Sequence, residues 1–213
     1  MSSEAIYSSD VAFTPTVKSI QGRKGSRDGY ASMEERGSWR TRITPDLAAF
    51  IRNQTSVFLA TANAEGQPYI QHRGGPAGFL HIVDDSTIAF ADFAGNRQYI
   101  TQGNLSDNPK AYLFLIDYRT RQRVKLWGEA QVVEGDSELM AKLMPANYRA
   151  RPEQAIIFKL SAWDMNCPQH IPLRFDAAEV EAIVAERDER IKTLEAEVAR
   201  LRSIQGIPAA PSK

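Results

Sequence analysis

The residues best placed to do chemistry lie in one stretch, residues 90–105, which reads FADFAGNRQYITQGNL. A strand-like run ends near Phe90, a short loop covers 92–96, and a helix is predicted over 97–105. Asn96 is a natural N-cap, and Gly95 lets the backbone turn sharply before it. The first amides of such a helix have no acceptor inside it, and the positive end of the dipole lies there. A phosphate placed at that end gains both. Arg97 adds a permanent cation whose forked donors suit phosphate oxygens. Gly95, Asn96, Arg97 and Gln98 are therefore candidates for an anion cradle. An ordinary capped helix with a solvated arginine accounts for the same residues.

A second stretch, residues 69–78 (YIQHRGGPAG), carries polar groups on an extended segment. Gln71 and Arg73 face one way and His72 the other. Gly74 and Gly75 expose backbone, which suits close approach of a flat ring. Gln71, Arg73 and the amides of Gly74 and Gly75 can hydrogen-bond the polar edge of such a ring. A glycine-rich hairpin turn with edge-strand polar residues is the plainer reading.

Metal and disulfide chemistry have little to work with. The chain has a single cysteine, Cys167, and three histidines, His72, His81 and His170. One thiol excludes a disulfide framework and fits a reducing compartment. Cys167 and His170 together do not make a zinc site. Lys plus Arg and Asp plus Glu both number 26, so the net charge is zero. A balanced chain has no global field to draw nucleic acid or an anionic membrane. No signal peptide or membrane-length apolar run is visible, and a cytoplasmic protein is expected.

The elements that must position these residues read as follows. Residues 1–40 form a polar arm with scattered apolar anchors, and residues 21–30 within it read as a loop. A short helix begins at Thr44 and Pro45. Strands are expected at 56–61 (SVFLAT), 69–73, 87–90, 111–118, 123–133 and 156–160. A helix-like segment at 137–144 precedes the last of these. Six short strands with few helices suggest a mainly β (α+β) fold, a β-barrel with peripheral helices over 41–175. The tail differs: Val180, Val184, Arg187, Ile191, Leu194, Val198 and Leu201 follow heptad spacing. One long C-terminal helix over 176–204 is predicted, either lying on its own domain or forming a coiled coil with a partner chain. Residues 205–213 are a terminal tail.

The order of these motifs resembles the FMN-binding split β-barrels of the pyridoxamine 5′-phosphate oxidase-like family, and more closely its predicted flavin-nucleotide-binding branch. The resemblance covers residues 40–175. Residues 26–40 (SRDGYASMEERGSWR) are also typical of that branch. It implies that residues 67–75 contact the flavin ring and that Gly95-Asn96-Arg97 stands where the family binds the phosphate. The helix and Asn108-Pro109 follow, then the strand at 111–118 and the basic strand RVKLWG at 123–128. The family's Arg-Lys pair is reduced to Asn96-Arg97 here, with Arg73 available to compensate. Its arginine-rich substrate site near the C-terminus is not matched, so pyridoxamine phosphate itself is not the expected substrate.

The resemblance further implies FMN as cofactor and a homodimer with the flavin at the subunit interface. Trp127 and residues 166–174 are then candidates to cover the ring, although Trp127 also reads as a core residue. An oxidoreductase moving hydride between a nicotinamide or small organic substrate and FMN is expected, the flavin supplying the chemistry. No residue stands out as a general base beyond His72 and His170. A non-catalytic flavin-binding or redox-sensing module, a haem-binding split barrel and a structural dimerisation protein are the rival expectations.

Overall fold

The computed structural model describes residues 7–166 and 168–206. Cys167 and most of the terminal tail lie outside them. The chain divides into two units, one ending at Ile171 and the other beginning at Pro172.

The expected polar arm is largely helical. Thr14 caps a helix that opens on Pro15, α1 (Pro15–Lys24), and Gly25 ends it at φ 78°. A second helix, α2 (Arg27–Glu35), follows at once. Residues 21–30 are thus mostly helix rather than loop. Gly22 and Gly29 sit within the helices, and Gly25 marks the break between them. What holds the arm is a buried carboxylate: Glu34 pairs with Arg27 and Lys18 and accepts from Ser9. Such a group stays buried only when its charge is matched.

The short helix α3 (Pro45–Arg52) starts at the Thr44 cap and buries Leu47, Phe50 and Ile51. Seven strands follow, not six: β1 (Ser56–Ala62), β2 (Pro68–Gly74), β3 (His81–Asp84), β4 (Thr87–Phe93), β5 (Lys110–Asp117), β6 (Gln122–Val133) and β7 (Pro152–Asn166). The added strand, β3, has only four residues and little apolar alternation, so its pairing with β4 rather than its pattern makes it a strand. Helices α4 (Ile100–Asp107) and α5 (Ser137–Leu143) interrupt the series.

All strand pairs are antiparallel, in the order β2-β1-β5-β6-β7-β4-β3. Alternate residues point to one face. Val57 and Leu59, Ile88 and Phe90, Leu113 and Leu115, Val124 and Leu126, and Ile156 and Phe158 form a single core with α3. The opposite face of β4 and β7 offers Ala89, Ala91 and Ala155, and α5 lays Leu143 on them. The fold is mainly β, of the α+β class, as its alternation leads one to expect.

The sheet is rolled. Strand β2 lies at one edge and β4 five strand steps away. In a flat sheet those steps span roughly 24 Å. Yet Arg73 Nε on β2 lies 2.8 Å from Asp92 Oδ1 on β4. Side chains, not a backbone ladder, join β2 to β4, and that is a barrel left split along one seam.

The second unit is the long helix α6 (Ala177–Gln205), opened by an Asp176–Glu179 capping box and closed by Gly206 at φ 69°. It spans about 43 Å at the usual rise. None of its residues is buried. Among the described residues no helix is long and apolar enough to cross a membrane.

Candidate functional site at the barrel seam

Strand β4 runs on to Phe93, past the expected end at Phe90. Its last inward residue, Asp92, is buried beneath the seam. Asp92 accepts from Gln154 Nε2 at 2.9 Å, on β7, and from Arg73 Nη2 at 3.4 Å. The closer Arg73 Nε contact lies off the hydrogen-bond line, so it is ionic rather than directed. Burial pushes the Asp92 carboxyl up from its ordinary value, while Arg73 and Gln154 oppose that rise. An ion pair half-repaid for its desolvation behaves this way.

After Phe93 the chain turns through residues 94–99 before α4 begins at Ile100. The predicted helix start at Arg97 is therefore three residues early. The physical reason is backbone geometry: Arg97 and Tyr99 both adopt left-handed conformations, φ 60° and 55°, which no continuous right-handed helix admits. Each such non-glycine residue costs about 1–3 kcal/mol and persists only where its surroundings impose it. Left-handed residues in a turn are also how a backbone builds a concave anion site. Asn96 does not cap α4. Its Oδ1 accepts instead from the Gln98 amide, at 3.3 Å. The helix-start amides open to an anion are those of Ile100, Thr101 and Gln102.

Around this turn the structure gathers Gln71, Arg73, Gly95, Asn96, Arg97 and Gln98 into one groove, closed below by Asp92 and Gln154. The groove is small, with a volume of about 50 Å³. Thr101 on α4 donates to Gln71 Oε1 at 3.2 Å, and Asn104 donates to Thr61 at 3.0 Å, so α4 is pinned to β1 and β2. Arg97 does not point freely to solvent. Its Nε donates to the Tyr99 hydroxyl at 3.0 Å, which in turn donates to Glu153 at 2.8 Å. Gln154 Oε1 is buried with no partner among the described residues.

The remaining expected residues lie elsewhere. His72 faces away from Gln71 and Arg73, with its ring edge-on to Phe58 at 5.6 Å. Gly74 pairs with Ser56 in the β1–β2 ladder, and the Gly75 amide donates to Thr55 at 3.1 Å. Gly75 is required by packing: a Cβ there would sit 2.7 Å from Phe79. Trp127 is on the outer face of β6, stacked on Trp39 of the arm at 4.5 Å and 15°. Lys125 lies over both indoles and pairs with Asp164 at 2.8 Å. Trp127 is thus neither a core residue nor part of the seam groove.

Sequence reasoning missed Asp92, Glu153 and Gln154. The hydroxyls of Tyr99 and Thr101 were missed as well. The alternation of TIAFADF was the one available signal, since it places Asp92 on the inward register of Ile88 and Phe90.

No curated protein sequence matches the chain. Among solved structures it is similar to HupZ of Group A Streptococcus, at 22% identity over 62% of this chain and 99% of that one, TM-score 0.47. It is similar to an FMN-binding protein of Syntrophomonas wolfei, at 14% identity over 68% and 97%, TM-score 0.44. It is similar also to HutZ, the haem storage protein of Vibrio cholerae, at 17% identity over 59% and 94%, TM-score 0.38. The family model described as pyridoxamine 5′-phosphate oxidase matches residues 43–167, more than half of the chain, and takes in all seven strands but not the arm. The chain belongs to the pyridoxamine 5′-phosphate oxidase family.

Proposed function

We propose that this chain is an FMN-binding oxidoreductase of the cytoplasm, moving hydride between a nicotinamide or small organic substrate and the flavin, and that it works as a homodimer with the flavin between subunits. The observation that carries the reading is the seam groove. Residues from β2, from the β4–α4 turn and from β7 converge on one small concave site with a cation at its rim.

The residues present fit the phosphate end of FMN. Two left-handed residues shape the turn, helix amides face outward at its end, and Arg97 supplies charge. The orphaned Gln154 Oε1 beneath the groove is a further polar atom awaiting a partner. Arg97 would hold the phosphate, the α4 amides would donate to it, and Gln71 and Arg73 would face the flavin's polar edge. Asp92 fixes Arg73 in place, so that donor is preorganised before binding. When bound, FMN supplies the two-electron chemistry.

The groove's volume suits a phosphate and not a three-ring flavin. Walls for the ring must come from beyond the groove, which supports a second subunit as cover. Leu173 and Phe175, both strongly exposed, and His170 beside them are the segment proposed for that role. Trp127, half-buried and stacked on Trp39, is the other residue proposed as cover.

The visible spectrum of freshly purified protein tests the reading. Flavin bands released as FMN on denaturation, with turnover of NADH or NADPH, support it. A Soret band in place of flavin bands would assign haem instead, and a colourless protein that takes up neither would overturn the flavoprotein reading.

A further inference from the structure

Helix α6 carries an apolar stripe that no other described residue of its own unit covers. Val180, Val184, Ile191, Leu194, Val198 and Leu201 are each 44–51% exposed, far above what isolated apolar residues on a surface helix need. Their spacing fixes a heptad register in which Val184, Ile191 and Val198 are a positions and Val180, Arg187, Leu194 and Leu201 are d positions. Val184, Ile191 and Val198 are β-branched at a, and Leu194 and Leu201 supply leucine at the last two d positions, the combination that favours two parallel strands.

The flanking charges carry the same sense. In this register Arg190 and Glu197 are g positions, and Glu195 and Arg202 are e positions. In a parallel, in-register pair each g residue meets the e residue five places on in the other chain. Arg190 then faces the partner's Glu195, and Glu197 faces the partner's Arg202. Both contacts join opposite charges, and symmetry doubles them. A fully overlapped antiparallel pair also joins Arg190 to the partner's Glu197 and Glu181 to the partner's Arg202, but it sets Asp188 against the partner's Glu195, like against like, a repulsion the parallel pair lacks. Within one chain Glu197 pairs with Arg200, at 2.6 Å on the helix surface, a contact that costs little to exchange.

We infer that α6 docks on the α6 of a second copy of this chain as a parallel, in-register two-stranded coiled coil. The occupant of the stripe is the same helix. The seam has one flaw, Arg187, which meets the partner's Arg187 at a d layer. Three heptads with such a layer pair weakly alone, and tethering to a folded unit raises the effective concentration that holds them together.

Disulfide trapping in the full-length chain tests this. In a Cys167→Ser background, Val184→Cys and Leu201→Cys are made separately, with Ser203→Cys, on the outer face, as control. The substituted positions are exposed, so folding is unaffected. In-register pairing predicts that each of the first two links to itself at least about tenfold faster than the control. An antiparallel pair leaves either cysteine about 25 Å from its own copy, given the helical rise. Linking only in a mixture of Val184→Cys with Leu201→Cys, or linking no faster than the control, overturns the inference. Arg187→Leu completes the seam and should slow subunit exchange about tenfold or more; unchanged exchange also overturns it.

Discussion

Arg73 and Asp92 belong to strands five steps apart in the sheet, yet Nε and Oδ1 are 2.8 Å from each other. This pair closes the barrel seam and floors the candidate site, so fold and function meet there. Removing one partner leaves the other buried and unmatched. Arg73→Met is expected to destabilise the protein by about 3 kcal/mol or more. Adding Asp92→Leu should restore much of that loss, because an apolar pair of similar size has no charge to desolvate. Urea unfolding of both singles and the double measures the coupling. Additive losses would mean that the pair does not act as a unit.

The same carboxylate sets a pH dependence. Burial holds the Asp92 pKa above its ordinary value of 3.8 in the fold. Its contribution to stability is thus fully present below that ordinary value and is lost as pH rises through the folded pKa. Relative to Asp92→Asn, the parent protein should lose stability as pH rises above 3.8. Chemical denaturation at several pH values measures the difference, and a flat or rising difference contradicts the assignment.

Gly128 predicts a backbone effect. The β6–β7 register shifts between Trp127 and Gly128, and a Cβ at Gly128 would sit 2.1 Å from the Lys159 carbonyl oxygen. Backbone cannot step aside as a side chain can. Gly128→Ala should therefore cost about 1–3 kcal/mol or more, whereas Gly95→Ala, with open space around it, should cost far less. Thermal melts of the two variants check the contrast.

Much of this was legible in the sequence, and what was missed has physical causes. Apolar, β-rich runs at β1 and β5 and period-two alternation at β6 place these strands within a residue of their bounds, because each buries one face. It could not locate β3, where only pairing defines the strand. Three glycines in ten residues give residues 21–30 a loop-like composition, yet Gly25 alone breaks α1 from α2. At the site, residue type and spacing single out residues that the structure gathers into one groove. The helix start was misplaced because left-handed Arg97 and Tyr99 leave no mark in composition. The Asp92 floor was invisible because its partners Arg73 and Gln154 lie 19 and 62 residues away. The stack of Trp127 on Trp39 leaves no local mark, since the two lie more than eighty residues apart.

Arg97 is tethered through the Tyr99 hydroxyl to Glu153, and the tether competes with any anion for the guanidinium. Glu153→Gln should tighten FMN binding by a few fold, since it frees the cation and removes a nearby negative charge. Tyr99→Phe should act in the same direction. Equilibrium titration of FMN into each variant tests both, and weaker binding would show that the tether instead presents Arg97 to its ligand.

The central claim is that a phosphate docks at the β4–α4 turn, and comparing FMN with riboflavin tests it most directly. The two differ only by that phosphate. The account predicts that the protein binds FMN at least about tenfold more tightly than riboflavin, as one charge-assisted contact requires. It predicts that Arg97→Ala erases most of that preference while leaving stability within about 0.5 kcal/mol. Equal affinity for the two flavins, or a preference that survives the loss of Arg97, would contradict it.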